Sequence, residues 1–383
     1  MAIVFDEPGT QGARIKVIGV GGAGGNAVNG MINANLQGVE FVAVNTDSQA
    51  LNANKAPLAV QIGKHLTKGL GAGANPEAGL KAMEEDRVAI ERMLEHVDMI
   101  FITAGMGGGT GTGASPLLAD IASEMGILTV AIVTKPFLFE GHQRMRRAEE
   151  GIERLKKSTD TVIVIPNERL LAISTEETTL SNSFKMADDI LYQATKGIAD
   201  LINVTGLINL DFADVKTVMS EQGDALMGTG VAAGENRAID AAQQAISSPL
   251  LEEVSITGAK ALLINITGSE DMKINEVNKA SKLISEEAGM DANVIWGSVI
   301  DDEMAGSMRI TVIATGFNTK PRMEAMRPSD VETVDTMPEN VVKFKKPAFT
   351  RSAAPDAEAT PQDDADGFSE DLEIPAFLRK QMD

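Results

Sequence analysis

The stretch that decides the fold is Phe101-Ile-Thr-Ala-Gly-Met-Gly-Gly-Gly-Thr-Gly-Thr-Gly-Ala-Ser-Pro116. A strand-like apolar run passes into Gly105, Gly107, Gly108, Gly109, Gly111 and Gly113, set around Thr110 and Thr112, and then opens a helical pattern. Glycines at this density lose much conformational freedom on folding and offer no side chain to pack, which argues against a purely structural loop. Backbone N–H groups at a strand-to-helix turn converge on anions, so the stretch reads as a phosphate cradle.

Working outward, a second cradle lies upstream in VIGVGGAGGNAV (17–28), where Gly19-x-Gly21-x-x-Gly24 satisfies the dinucleotide fingerprint. Alone, that fingerprint suits NAD, FAD or a nucleoside triphosphate, and Asp47 stands where a dehydrogenase carries its ribose-binding acid. Two cradles exceed what a dehydrogenase needs. A third, smaller loop, Gly69-Leu-Gly-Ala-Gly-Ala (69–74), either closes on a terminal phosphate or is an ordinary surface loop. Gly63-Lys64 is followed by His65, and neither GxxxxGK[ST] nor NKxD occurs, which excludes a P-loop GTPase.

Lys+Arg 34 against Asp+Glu 55 leaves a net charge of −21, which opposes generic nucleic-acid binding. Attraction for a triphosphate must then come from backbone dipoles and a divalent cation. With Cys 0 there is no thiolate nucleophile, disulfide or cysteine metal site, and His65, His96 and His142 are too scattered to suggest a metal cluster. No apolar run approaches the ~18 residues of a membrane span and the first residues lack a signal-peptide pattern, so a soluble cytoplasmic protein is expected.

The runs RIKVIGV (14–20), EFVAVN (40–45), VDMIFITA (97–104), ILTVAIV (127–133) and TVIVIP (161–166) are nearly all apolar. They predict doubly buried parallel strands in an α/β, doubly wound, Rossmann-type unit spanning 12–180. From Ser181 to Val204, apolar residues at spacings of three and four predict a long central helix (181–205), a spine between two domains. Strands at 225–232, 259–267, 292–299 and 308–316, with helices near Glu235–Ile246 and Lys273–Glu287, predict a smaller α+β domain over 206–317. Seven of the 14 prolines but only one glycine, Gly367, follow Asn318, so 318–368 reads as a disordered linker. Residues 369–383 regain apolar side chains at Leu372, Ile374, Phe377 and Leu378 and read as a partner-binding peptide, with a frayed tail as the alternative.

The run GGGTGTG (107–113) matches the tubulin-type glycine motif, and the chain as a whole resembles the FtsZ family, bacterial cell-division GTPases that polymerise. The resemblance extends through GVGGAGGNAV, FVAVNTD, KGLGAGANP, KPFLFEG, IPNERLL, NLDFADV, ISSPLLE and the terminal DLEIPAFLR. It implies that Gly22, Ala23, Gly24, Gly25 and Asn26, together with Gly107, Gly108, Gly109, Thr110 and Gly111, hold the phosphates of GTP or GDP. Asn45, Asp47, Ala72 and Gly73 are implied near the γ-phosphate and Mg2+, with the ion on the GTP phosphates and no direct side-chain metal ligand assigned. Glu140, Arg144 and Asn167 are implied at the ribose or base. The chain departs from relatives at His142-Gln143, where basic residues are common.

Phe184 and Asp188 are four apart and share a helix face, so the ring can stack on guanine while the carboxylate accepts its N1 and N2 hydrogens, a donor pair adenine lacks. The plainer readings are a core phenylalanine and a solvated acid. Asp189 points about 100° away and is the weaker candidate.

In Asn209-Leu-Asp211-Phe-Ala-Asp214, either aspartate suits the cap of a helix starting near Val215. The resemblance instead implies that Asp211 and Asp214 orient the water attacking GTP held by the next subunit, with Asn209 near the phosphates. Such a head-to-tail homopolymer yields filaments and makes hydrolysis depend on assembly. Membrane-tethering adaptors and division regulators are the implied partners of the terminal peptide, at a division site beneath the inner membrane. Two rivals stand beside this reading: a nicotinamide or flavin oxidoreductase built on the first loop and Asp47, and a filament scaffold that binds GTP without cleaving it.

Overall fold

The apolar runs become strands because only a sheet covered on both faces removes every side chain of such a run from water. The computed structural model describes residues 12–175, 177–204, 210–220, 223–251, 256–289 and 291–317. Strands β1 (Ile15–Val20), β2 (Glu40–Asn45), β3 (Leu58–Gln61), β4 (Met99–Gly105), β5 (Leu128–Lys135) and β6 (Thr161–Pro166) are mutually parallel where they pair. β3 was not expected. It is a four-residue edge strand behind Pro57, partly exposed, and too short to show a period.

Strands β7 (Gly223–Ala233), β8 (Ala261–Gly268), β9 (Asn293–Ile300) and β10 (Ser307–Phe317) form the second group. β10 lies antiparallel between β7 and β8, and β9 runs parallel to β8 at the edge. β7 pairs with β6 through three residue pairs, giving a ten-stranded sheet of order β3-β2-β1-β4-β5-β6-β7-β10-β8-β9.

The order reverses at β1, whose neighbours are β2 and β4. The helix Gly21–Asn33 leaves β1 and packs on one face, whereas the helix Thr110–Glu124 leaves β4 and packs on the other. Such a switch point opens a crevice at the carboxyl ends of the strands, between the two glycine loops.

The spine helix runs over Leu180–Asn203, capped by the Thr179 hydroxyl, which accepts from Asn182 N at 3.3 Å. Its 24 residues span about 36 Å. Ile190, Leu191, Ala194, Ile198 and Leu201 are buried in a core shared with β1, β4 and β5, and also with Val215, Ala225, Leu263 and Ile313 of the second group. Each fully buried leucine, isoleucine or valine among them stabilises by roughly 1.5–3 kcal/mol. The remaining core divides. One cluster fills the other face of the first group, and a third lies between β8 and β10 and the helices Arg237–Ile246 and Ile274–Ala288. Among the described residues, no helix is long and apolar enough to cross a membrane. The expected linker 318–368 and peptide 369–383 lie outside the described residues.

Candidate functional site

The two principal glycine loops meet backbone to backbone. Val20 and Ala104 are paired at the ends of β1 and β4, so the loops begin side by side. A Cβ on Gly21, whose φ is +74°, would stand 3.0 Å from Gly111 N, and one on Gly111 would stand 2.8 Å from the Gly105 carbonyl oxygen. Gly24 serves a different purpose: its missing Cβ would lie 2.3 Å from the Thr103 carbonyl oxygen, which lets the helix press on β4. Gly24 and Gly25 are accordingly buried, whereas Gly22, Ala23 and Asn26 are exposed. Gly22 and Gly108 face open space.

Neither following helix is capped. Val20 and Gly109 occupy the N-cap positions without side-chain hydrogen bonds, and neither first turn holds an acid. Two uncompensated helix N-termini therefore face one crevice, an arrangement that draws a polyanion into a chain of net charge −21.

The third loop closes the rim. Gly109 has no room for a Cβ because Ala72 Cβ would lie 2.8 Å away and Asn75 N 3.0 Å. Thr46 and Thr110 share a 2.7 Å hydroxyl–hydroxyl hydrogen bond, and Ser48 N donates to the Gly69 carbonyl oxygen at 3.1 Å. Asn45 Oδ1 accepts from Thr46 N at 2.8 Å and shapes the turn after β2. Asp47 Oδ1 accepts from Gln49 N at 2.8 Å and Ala50 N at 3.2 Å, so it caps the short helix Ser48–Asn52 beside the third loop. Gly73 is exposed and Leu70 is 82% exposed at this rim. Thr46 escaped sequence reasoning, although it stands between two residues singled out there.

A cavity at the ends of β5 and β6 gathers Asn26, Glu140, Arg144, Asn167, Phe184 and Asp188. Phe184 is not core filling: it is 41% exposed and meets Phe137 edge-on at 5.6 Å. Burial, aided by the neighbouring charge of Asp189, pushes the Asp188 carboxyl up to about 7. Asn167 is 4% exposed and its Oδ1 has no hydrogen-bond partner. An orphaned buried acceptor costs about 1–3 kcal/mol, which a ligand donor would offset. Glu140 accepts from Phe137 N at 2.9 Å and pairs with Arg144 at 2.9 Å. Arg144 in turn lies against Gly107, where a Cβ would stand 2.7 Å from Arg144 Cγ. The base-side and phosphate-side candidates thus form one continuous crevice.

Asp211 and Asp214 lie elsewhere. The helix begins at Phe212, three residues before its expected start, because Asp211 is its N-cap and accepts from Asp214 N at 2.8 Å through Oδ1. Both aspartates are exposed. The far end of this helix is held where Thr161, the first residue of β6, donates its hydroxyl to the Met219 carbonyl. The spine helix ends on the same side, with Asn203 Nδ2 on the Gly38 carbonyl oxygen at 2.8 Å, just before β2. The glycine loops follow the opposite ends of these parallel strands. Asn209 lies outside the described residues. Among the described residues, no group of three or more His, Asp or Glu could hold a metal ion.

Comparisons with known proteins agree with this fold. Residues 14–175 fit the model of the Tubulin/FtsZ family, GTPase domain, and residues 223–318 fit that of the FtsZ family, C-terminal domain. An empty FtsZ dimer from M. jannaschii is similar at 44% identity and a TM-score of 0.78, covering 81% of this chain and 90% of that one. A mutant of M. jannaschii FtsZ gives 44% and 0.76, covering 80% and 91%. CetZ2 from Haloferax volcanii, a GTPγS-bound protofilament, shares the fold at 22% identity with a TM-score of 0.66, covering 79% of this chain and 93% of that one. With its two domains matched in order and 44% identity held over most of a relative's length, the chain belongs to the FtsZ family of tubulin-like GTPases.

Proposed function

We propose that this GTPase assembles head to tail and completes its hydrolytic centre only between two copies. The observation that carries this reading is the placement of Asp211 and Asp214 at the end of the sheet opposite the glycine loops, where one chain cannot bring them to its own nucleotide. A heterologous contact of top on bottom propagates as a filament.

In this reading the N–H groups of the first and second glycine loops hold the phosphates, with Thr110 at the β-phosphate. Phe184 stacks on guanine, Asp188 accepts its N1 and N2 hydrogens, and Asn167 with the Glu140–Arg144 pair serves the base and ribose. Asp211 and Asp214 of the next copy orient the attacking water, with Asn209 at the phosphates. Positioning of this kind is the main task in phosphoryl transfer, whose transition state is loose. Asp211 keeps one carboxylate oxygen free of its capping bonds, so capping and catalysis are compatible.

Asp47 also caps through one oxygen only, and Thr46 and Thr110 supply hydroxyls beside it. This sparse donor set suits Mg2+ held mainly by phosphate oxygens. When bound, that ion neutralises charge on the triphosphate. Loss of the γ-phosphate withdraws contacts from residues 69–74 and loosens the interface.

The GTPase unit is taken as 12–180, the spine as 181–205 and the catalytic-loop domain as 206–317, followed by a linker, 318–368, and a peptide, 369–383, for membrane-tethering adaptors and division regulators. The filament would build the cytokinetic ring beneath the inner membrane at a bacterial division site. Turnover per subunit measured against protein concentration tests the central claim: it should rise from near zero to a plateau, and a flat line from the most dilute sample upward sinks it. Co-sedimentation with GTP, GDP and ATP should show pelleting with GTP.

A further inference from the structure

The two strand groups are joined unevenly on the two faces of the sheet. On the spine-helix face one core runs through both groups. On the opposite face the apolar clusters are separate: one takes its residues from β1 to β6 and their helices, the other from residues 238–314. Between them the ladder of β6 with β7 covers only Thr161, Val162 and Ile163 against Gly223, Asp224 and Ala225. Beyond Ile163 the two strands part, and a cavity of about 220 Å³ fills the wedge, lined by Ile152, Val164, Pro166 and Leu226 among others.

Lys156, near the end of the helix His142–Ser158, reaches across this face from the first group to the second. Its Nζ lies 2.8 Å from Asp224 Oδ1 on β7 and 3.2 Å from Glu153 on its own helix. The helix carrying Asp211 and Asp214 is fastened at the same junction by both groups. Thr161 of β6 holds the Met219 carbonyl, and Thr315 of β10 donates to the Val218 carbonyl oxygen at 3.2 Å. Any change in the angle between the groups therefore re-aims these two aspartates.

We propose that Lys156 and Asp224 are a positioning pair, whose contact sets the angle between the two strand groups and so the reach of Asp211 and Asp214 toward the nucleotide of the next copy. The inference rests on the interfacial hydrolysis proposed above. Both side chains are partly exposed, at 29% and 41%, so the pair adds little to global stability. Where a short ladder and a cavity leave that face otherwise unfilled, even a weak contact is enough to bias the angle between the groups.

The test uses the full chain carrying Lys156→Ala, Asp224→Asn, Lys156→Arg, or the exchange Lys156→Asp with Asp224→Lys. Affinity for a fluorescent GTP analogue is read on dilute protein, turnover per subunit at the concentration plateau, and polymer by sedimentation. The Ala and Asn variants should hold GTP within about twofold of the parent and lose roughly three- to tenfold of plateau turnover. The exchange and Lys156→Arg should restore most of it. Unchanged plateau turnover in both charge-removing variants, or an exchange no better than either, overturns the pair's role. If a single variant folds poorly, the exchange decides: recovered turnover supports the proposal and absent turnover overturns it. Flat concentration dependence in the parent chain would instead overturn the interfacial reading, so the two failures are distinguishable.

Discussion

The two ends of the sheet are built by opposite means. At the glycine end the proposed working groups are backbone N–H donors fixed by interlocked loops, in which Gly21, Gly107, Gly109 and Gly111 leave little or no room for a side chain. At the other end the proposed groups are two exposed carboxylates, Asp214 on an eight-residue helix and Asp211 as its cap. The first end is preorganised by packing, whereas the second is positioned only through the elements that carry it. Preorganised donors suit tight binding of the ground state, and carboxylates delivered by a second molecule suit a step that must wait for assembly.

That contrast breaks most sharply under Asp214→Ala, expected to lower plateau turnover by roughly a hundredfold or more while GTP affinity stays near that of the parent. A comparable loss of affinity would erase the distinction between the ends. Asp211→Asn preserves a capping oxygen and should lose turnover without losing helix stability, whereas Asp211→Ala should also cost about 0.5–2 kcal/mol in chemical denaturation. Equal denaturation midpoints for the two variants would remove the capping role.

Gly107→Ala attacks the other end. Its φ is +96°, and the new methyl would stand 2.7 Å from both Arg144 Cγ and the Arg144 carbonyl oxygen. GTP affinity should fall by about tenfold or more, read by equilibrium titration on dilute protein, because the strain amounts to roughly 1–3 kcal/mol. An unchanged constant would show that the second loop tolerates motion.

The proposed base pocket carries a pH dependence. In the free protein Asp188 titrates at about 7, raised first by burial and then by Asp189, and in the proposed complex guanine N1 and N2 donors would favour its ionised form. Affinity for GTP should therefore weaken about tenfold from pH 8 to pH 6, and Asp188→Asn should flatten that slope. In the same free protein the raised value favours the folded state below the unfolded carboxyl's ordinary pKa, and that contribution is lost as pH rises through 7. A parent titration without slope across this window would separate Asp188 from the base. The smallest effect belongs to Thr179→Ala at the spine's first turn, about 1 kcal/mol of stability with nucleotide affinity untouched, read by a urea midpoint.

Much of the first end was legible because phosphate cradles are written in consecutive residues. Gly105 to Gly113 and Gly19 to Gly24 announce a strand, a tight turn and a helix, and apolar runs announce a doubly covered sheet. Phe184 and Asp188 were readable as one face because helical spacing is local, although the exposure of the ring was not. Three features were hidden. β3 is too short to have a period, Thr46 acts through a hydroxyl partner 64 residues away, and the β6–β7 ladder joins segments separated by the whole spine helix.

The amino-acid order alone determined where the glycine-rich strand-to-helix turns, the strands and the long helix run, since each depends on neighbours a few residues apart; Asp211 and Asp214 read locally only as helix caps, and their candidacy for catalysis came from the family resemblance. Only the tertiary structure decided that the two glycine loops interlock, that Asn167 leaves an acceptor without a partner, and that Asp211 and Asp214 lie at the far end from the crevice. Those facts arise from strand order and parallel pairing, which bring distant residues together and hold near ones apart.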